Sequence, residues 1–161
     1  MYAKKMTLLG ALLVTASAVH AAPHQVDFNV EAVIPATDFF VTPVNGWNTQ
    51  TQKMAWNAAT GSLDGFSRQL QMKNSGGNIK AYLSGQPVLS STSGTDTIDL
   101  QVNIAGQTLP IDAASAVTLY SASEAAAEKT ATMTVSQKAG TKPTAGTYIG
   151  SVTMMFDTET P

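Results

Sequence analysis

The side chains that could do chemistry are few in this sequence, and they are poorly spaced for it. There are two histidines and no cysteine. His20 falls in the amino-terminal leader, so His24, in a short polar lead, is the one imidazole left to the chain beyond it. A single histidine without a thiol supplies neither a zinc ligand set nor a nucleophile–base pair. Asp96 and Asp99 are close together, but a calcium cage needs further carboxylates and carbonyls at set intervals, and none flank them. Ser75-Gly-Gly-Asn78 lacks the lysine and the following helix of a phosphate loop. No serine lies in a nucleophile-elbow pattern. These absences point away from an enzyme and away from any metal or cofactor. Trp47, Trp56 and Tyr82 could build a sugar-stacking platform. Packing within a sandwich, or over its end, accounts for them more simply, because both residue types bury a ring and keep a polar tip wet.

The elements that would position these residues begin after the leader. Lys4 and Lys5 precede the apolar run Met6–Val14, and the small residues that follow end in Val19-His20-Ala21. This is the pattern of a secretory signal over residues 1–21, with cleavage after Ala21. The apolar run is far shorter than the ~20 residues of a spanning helix. About 140 residues then remain, enough for one domain with a core and too few for two. Loss of the two lysines makes the formal net charge of −2 more negative, which argues against nucleic acid as a partner. Export without cysteine means that the core must hold without disulfides.

Period-two alternation runs through the rest. Val26, Phe28, Val30, Ala32 and Ile34 alternate with Asp27, Asn29, Glu31 and Val33, and Pro35 ends the run. Phe39-Phe40-Val41 is a short strand closed by Pro43 and an Asn45-Gly46 turn. Phe66, Arg68, Leu70 and Met72 share a strand face, on which Arg68 is the odd member. Ser75–Asn78 is expected to be a hairpin turn into Ile79–Leu83, and these segments together suggest a meander. Ser90–Thr95 is a polar loop. Ile98, Leu100, Val102 and Ile104 mark the cleanest internal strand, closed by an Ala105-Gly106 turn. Asp112–Lys129 is expected to be a loop with at most a helical turn, since the capping spacing at Ser123 lacks its Glu or Gln. Ala131, Met133 and Val135 mark the penultimate strand. In the last stretch, Tyr148, Gly150, Val152, Met154 and Phe156 share one face of a nine-residue strand that needs a neighbour. Seven or eight short strands joined by Gly, Ser, Pro and Asn turns indicate an all-β sandwich.

The closing segment Lys138-Ala-Gly-Thr-Lys-Pro-Thr-Ala-Gly-Thr-Tyr-Ile-Gly-Ser-Val-Thr-Met-Met-Phe156 resembles the A-G-T-x-P-T-A-G-x-Y-x-G-x-V ending of a known group. That group is the major pilins of the chaperone–usher pathway, in the alpha (class 5) branch of colonization-factor and cable-pilus fimbriae. Leu119-Tyr120-Ser121-Ala122-Ser123 resembles the tyrosine-serine stretch before that group's penultimate strand. The resemblance implies an immunoglobulin-like β-sandwich that lacks one strand and is completed by a donor strand from another subunit. Residues 1–21 would be the signal peptide, 22–35 a donor-strand arm and 36–161 the pilin domain. Val26, Phe28, Val30, Ala32 and Ile34 would be the donor residues. Tyr148, Gly150, Val152, Met154 and Phe156 would line the acceptor groove, with Gly150 leaving room for a large donor side chain. The apolar set of this arm is offset by one from the family's even steps before the proline, and alternation assigns Glu31 to the outward side. The implied partners are other copies of the pilin, a periplasmic chaperone, an outer-membrane usher and a separate tip adhesin. The implied place is a fimbrium, reached through the periplasm, with a role in bacterial adhesion. A secreted, monomeric carbohydrate-binding module is the alternative. It would pair its amino-terminal strand within its own chain and depend on Trp47 or Trp56.

Overall fold

The computed structural model describes residues 25, 28–34, 38–140 and 142–158. The expected signal segment, the lead with His24, and Val26, Asp27 and Pro35 lie outside the described residues. The chain divides into two units, Met1–Val33 and Ile34–Pro161. In residues 28–34 every side chain is exposed and none takes part in a strand ladder.

The second unit is built of strands: Phe39–Pro43 (β1), Trp56–Asn57 (β2), Ser62–Leu63 (β3), Phe66–Asn74 (β4), Ile79–Leu83 (β5), Val88–Ser91 (β6), Thr97–Ile104 (β7), Gln107–Thr108 (β8), Val117–Tyr120 (β9), Lys129–Gln137 (β10), Tyr148–Ile149 (β11) and Met154–Asp157 (β12). A single helical turn, Ala122–Ala125 (α1), lies between β9 and β10. The larger sheet runs β1-β4-β10-β7-β6-β11, and the smaller runs β12-β5-β9. All the pairings are antiparallel.

Alternation decides what is inside. Ile98, Leu100, Val102 and Ile104 of β7 are buried, as are Leu70 and Met72 of β4, Ile79, Ala81 and Leu83 of β5, and Ala131, Met133 and Val135 of β10. Their polar neighbours face away, the expected signature of antiparallel sheets with one dry face. At Asn45-Gly46 and Ala105-Gly106 all four residues have positive φ, as a tight primed turn requires.

Three expectations need correction. Ser75–Asn78 is not a hairpin turn: β4 pairs with β1 and β10, whereas β5 pairs with β12 and β9. The loop is an arch between the two sheets, and the meander is replaced by a sandwich crossing. Both strands bury alternate apolar residues, and facing them across a core hides more surface than pairing them edge to edge. Asn74 fixes the arch. It is 1% exposed, its amide donates to the Asn78 carbonyl at 2.7 Å, and its Oδ1 accepts from the Gly76 N–H at 3.0 Å.

The segment 112–129, expected to be a loop, contains β9. The capping box lies two residues earlier than the spacing considered: Ser121 is the N-cap and Glu124 the N3 acid. Thirdly, residues 148–156 are not one strand. Tyr148–Ile149 pairs with Ser90–Ser91, and Met154–Asp157 pairs with Lys80–Leu83. Between them, the Ser84 N–H donates to the Thr153 carbonyl at 3.1 Å. Residues 79–91 and 148–157 thus run side by side as a kinked ribbon, its arch-side half in the smaller sheet and its other half in the larger.

Candidate functional site: an open flank between β1 and β12

The topology leaves two free edges on one flank of the sandwich. A short link through α1 carries the chain from β9 to β10, which puts those two strands on one side of the β4–β5 arch. On the other side, the Ser75 N–H donates to the Asp38 carbonyl at 3.0 Å, just before β1. Asn74 donates to Thr158 Oγ1 at 2.5 Å, just after β12. Hence β1 and β12 meet at the arch, run in opposite directions along the same flank, and belong to different sheets. Among the described residues, each has one unpaired edge of N–H and C=O groups.

The side chains behind these edges are incompletely covered. The register sets Phe39 opposite Asn74 and Val41 opposite Met72, which gives β1 an inward face of Phe39 and Val41. Phe39 is nevertheless 39% exposed. Val41, Trp47, Met54, Tyr148, Val152, Met154 and Phe156 all pack against the core yet stay half-buried. A fully buried Val, Met or Phe gains ~1.5–3 kcal/mol over an exposed one, so each half-covered residue leaves about 1 kcal/mol unrealised.

Of the five sequence-derived groove residues, Val152, Met154 and Phe156 lead into and form β12, Tyr148 lies on β11 at the far edge of the larger sheet from β1, and all four are half-buried against the core. Gly150 is different. A Cβ on it would stand 2.1 Å from the Val88 carbonyl oxygen and 3.1 Å from Leu89 Cα. The glycine is needed because the ribbon backbones approach closely here, so the room it makes is already filled by β6. Sequence reasoning missed Phe39 and Val41. Their signal was the Phe39-Phe40-Val41 run, whose alternation is too short to show which face is inward.

The remaining polar and aromatic candidates have local tasks. Trp47 donates its indole N–H to the Gln69 carbonyl at 2.9 Å and packs on the core. Trp56 is 46% exposed, with Lys142 Nζ 5.7 Å from its ring centroid. Tyr82 occupies an outward position on β5, between the buried Ala81 and Leu83. Asp96 accepts from the Thr144 hydroxyl at 2.5 Å. Among the described residues no three His, Asp or Glu side chains gather as a metal site. Lys73 and Asp38 pair at 2.9 Å on the rim, where such bonds contribute little.

Comparison with known proteins agrees with this architecture. The family described as CS1 type fimbrial major subunit matches residues 24–157. No curated protein matches the chain. Among solved structures, the CooA pilin subunit from enterotoxigenic Escherichia coli is similar at a TM-score of 0.51 and 19% identity, over 65% of this chain and 75% of that one. At that identity the likeness speaks for the fold: an all-β pilin sandwich. The family match spans most of the sequence, from the exposed arm to the end of β12, and by it the chain belongs to the CS1 type fimbrial major subunits, the structural subunits of a surface fimbria.

Proposed function

We propose that copies of this chain polymerise by donor-strand exchange: the arm of one copy fills the flank between β1 and β12 of the next. The observation that carries this reading is the set of inward apolar side chains left half-covered along two free edges, on a chain whose alternating apolar arm is unpaired over residues 28–34. Phe28, Val30 and Ile34 are 81%, 80% and 88% exposed. Adding the arm as a strand would satisfy the free edges and cover both apolar sets at once, the mode called β-augmentation. With Val26 included, the four large donor residues could contribute on the order of 6–12 kcal/mol before ordering costs. That is comparable with the whole stability of a small domain.

Topology also supports a direction for the donor. The arm joins its own domain through residues 35–37, which span roughly 10 Å at most, and enters β1 at the arch end. A donor running antiparallel to β12 leaves the acceptor at the end away from the arch. Each domain then meets its two neighbours at opposite ends, and the chain grows as an open fibre. A donor parallel to β12 would bring both partners to the arch end and close a pair. A periplasmic chaperone would occupy the flank before polymerisation, an outer-membrane usher would catalyse the exchange, and a separate adhesin would cap the fibre. The role is structural, in attachment to surfaces, and not enzymatic.

Deleting Val26–Ile34 is the direct test. The truncated protein should still bind the chaperone but form no heat-resistant polymer. Normal polymers from the truncated chain would end this reading.

A further inference from the structure

We propose that Arg68 is the acceptor's recognition point for Glu31 of the incoming arm, an ion pair between copies that fixes the register of the donor strand. The inference rests on the donor-strand reading above and deepens it.

Arg68 is the one charged residue at an inward position of β4, between Phe66 and the buried Leu70. Its guanidinium is held beside the strand rather than deep in the core. Nε donates to Gln52 Oε1 at 2.7 Å and Nη1 to the Ser67 carbonyl at 2.8 Å, while the charged carbon stands 5.5 Å from the Phe66 ring centroid. The β1 ladder ends where Pro43 meets Leu70, so Arg68 lies just beyond the end of β1. Arginine has five N–H donors, and the two bonds to Gln52 and Ser67 leave capacity for a carboxylate. Among the described residues the ion pair is Lys73 with Asp38, and Arg68 has no acidic partner.

The level along the flank fits. Asn74 and Thr158 are bonded at the arch. Six residues down β4 from Asn74 is Arg68, and six residues back from Thr158 is Val152. An antiparallel donor that matches its five inward residues to Tyr148–Phe156 sets Ile34 against Tyr148, Val30 against Val152 and Val26 against Phe156. Glu31 then falls beside Val152, at the level of Arg68. Alternation turns Glu31 away from the apolar floor, toward the rim where the guanidinium is held. A slip by two residues would keep the apolar face inward but would part the two charges. The pair therefore discriminates among registers that the apolar pattern alone leaves equal.

The test is a charge swap in the full-length chain. Polymers of Glu31→Arg should dissociate about tenfold faster in denaturant than wild type, because two cations then meet. Arg68→Glu alone should behave likewise. The double variant should return to within about threefold of wild type. Glu31→Arg leaves the domain's own sequence intact, so it is decisive even if Arg68→Glu fails to fold. A Glu31→Arg polymer as durable as wild type, or a double variant no better than the singles, would overturn the pair. Phe28→Asp is the control for the underlying reading. If it blocks assembly while Glu31→Arg does not, donor exchange stands and the ion pair falls. If Phe28→Asp assembles normally, donor exchange itself falls.

Discussion

Met72 on β4 and Phe39 on β1 both point into the sandwich, yet Met72 is fully buried and Phe39 is 39% exposed. The contrast repeats down the molecule. Ile79, Val102 and Met133, on strands paired along both edges, are at 0–2% exposure, while Val41, Val152, Met154 and Phe156 stay half-covered on the open side, as do Val117 and Tyr120 on the edge strand β9. The residue types are the same, and so is the alternation. The difference is the number of neighbouring strands. Residues in the middle of each sheet are roofed by the opposite sheet. Those on β1 and β12 have, among the described residues, a neighbouring strand on one side only. One half of this core is therefore closed by the fold, and the other half is left partly open.

Truncation on the two sides should break this comparison most visibly. Ile79→Ala should cost about 2–5 kcal/mol in both monomer and polymer, because its cavity exists in either state. Phe156→Ala should cost about 1–2 kcal/mol in the monomer and about 3–5 kcal/mol in the polymer, where a donor would complete its burial. Chemical unfolding of the full-length monomer, set against the dissociation of fibres, measures the gap. Equal costs in the two states for Phe156 would mean that its surroundings do not change on assembly.

Gly150→Ala comes next. The new methyl would collide with the Val88 backbone, which cannot swing aside as a side chain does. About 2–3 kcal/mol of destabilisation is expected. It should appear in the monomer already, since the clash lies within the ribbon itself. A variant that folds normally but fails to polymerise would instead restore the view of Gly150 as space kept for the donor.

Asn74→Ala probes the seam where the two sides join. It removes the amide that ties Asn78 and Thr158 to the arch and should cost about 1–3 kcal/mol. Amide exchange should quicken more at Met154–Asp157 than at Ile98–Ile104, because the lost bonds hold the end of β12 and not β7. Equal acceleration of both strands would make Asn74 a general stabiliser without a role at the open flank.

Much of this was legible in the sequence because period-two burial is a local property. Ile98 to Ile104, Ala131 to Val135 and the inner face of Tyr148 to Phe156 all follow from it. What stayed hidden depends on which strand lies beside which. Ser75-Gly-Gly-Asn78 has the composition of a hairpin turn, and only the placement of β4 and β5 in separate sheets makes it an arch. The break in the last strand comes from a crossing between sheets, and alternation continues through it unchanged. Gly150 looks like spare room in the sequence, but Val88, remote in the chain, takes that room. Phe39 and Val41 carry too short a pattern to declare a face. The odd members of good patterns, Arg68 and Glu31, were visible from the start, but their connection needed the levels set by Asn74 and Thr158.

The smallest expected effect sharpens the comparison from the closed side. Glu124 accepts from the Ser121 hydroxyl at 2.6 Å and from the Ser121 N–H at 2.9 Å, closing the capping box of α1. These bonds, the hydroxyl's first, hold its carboxyl below the ordinary range. A carboxylate with a lowered folded-state pKa stabilises the fold above the unfolded pKa, and that contribution is lost as pH falls through the folded value. Because the group is exposed, the effect on overall stability should be slight. Glu124→Gln should flatten the acid limb of the monomer's stability profile a little and leave neutral behaviour nearly unchanged. The same small change should appear in the polymer, because α1 links β9 to β10 on the flank away from β1 and β12. A Glu124→Gln variant that alters fibre durability more than monomer stability would show that the closed side also takes part in assembly.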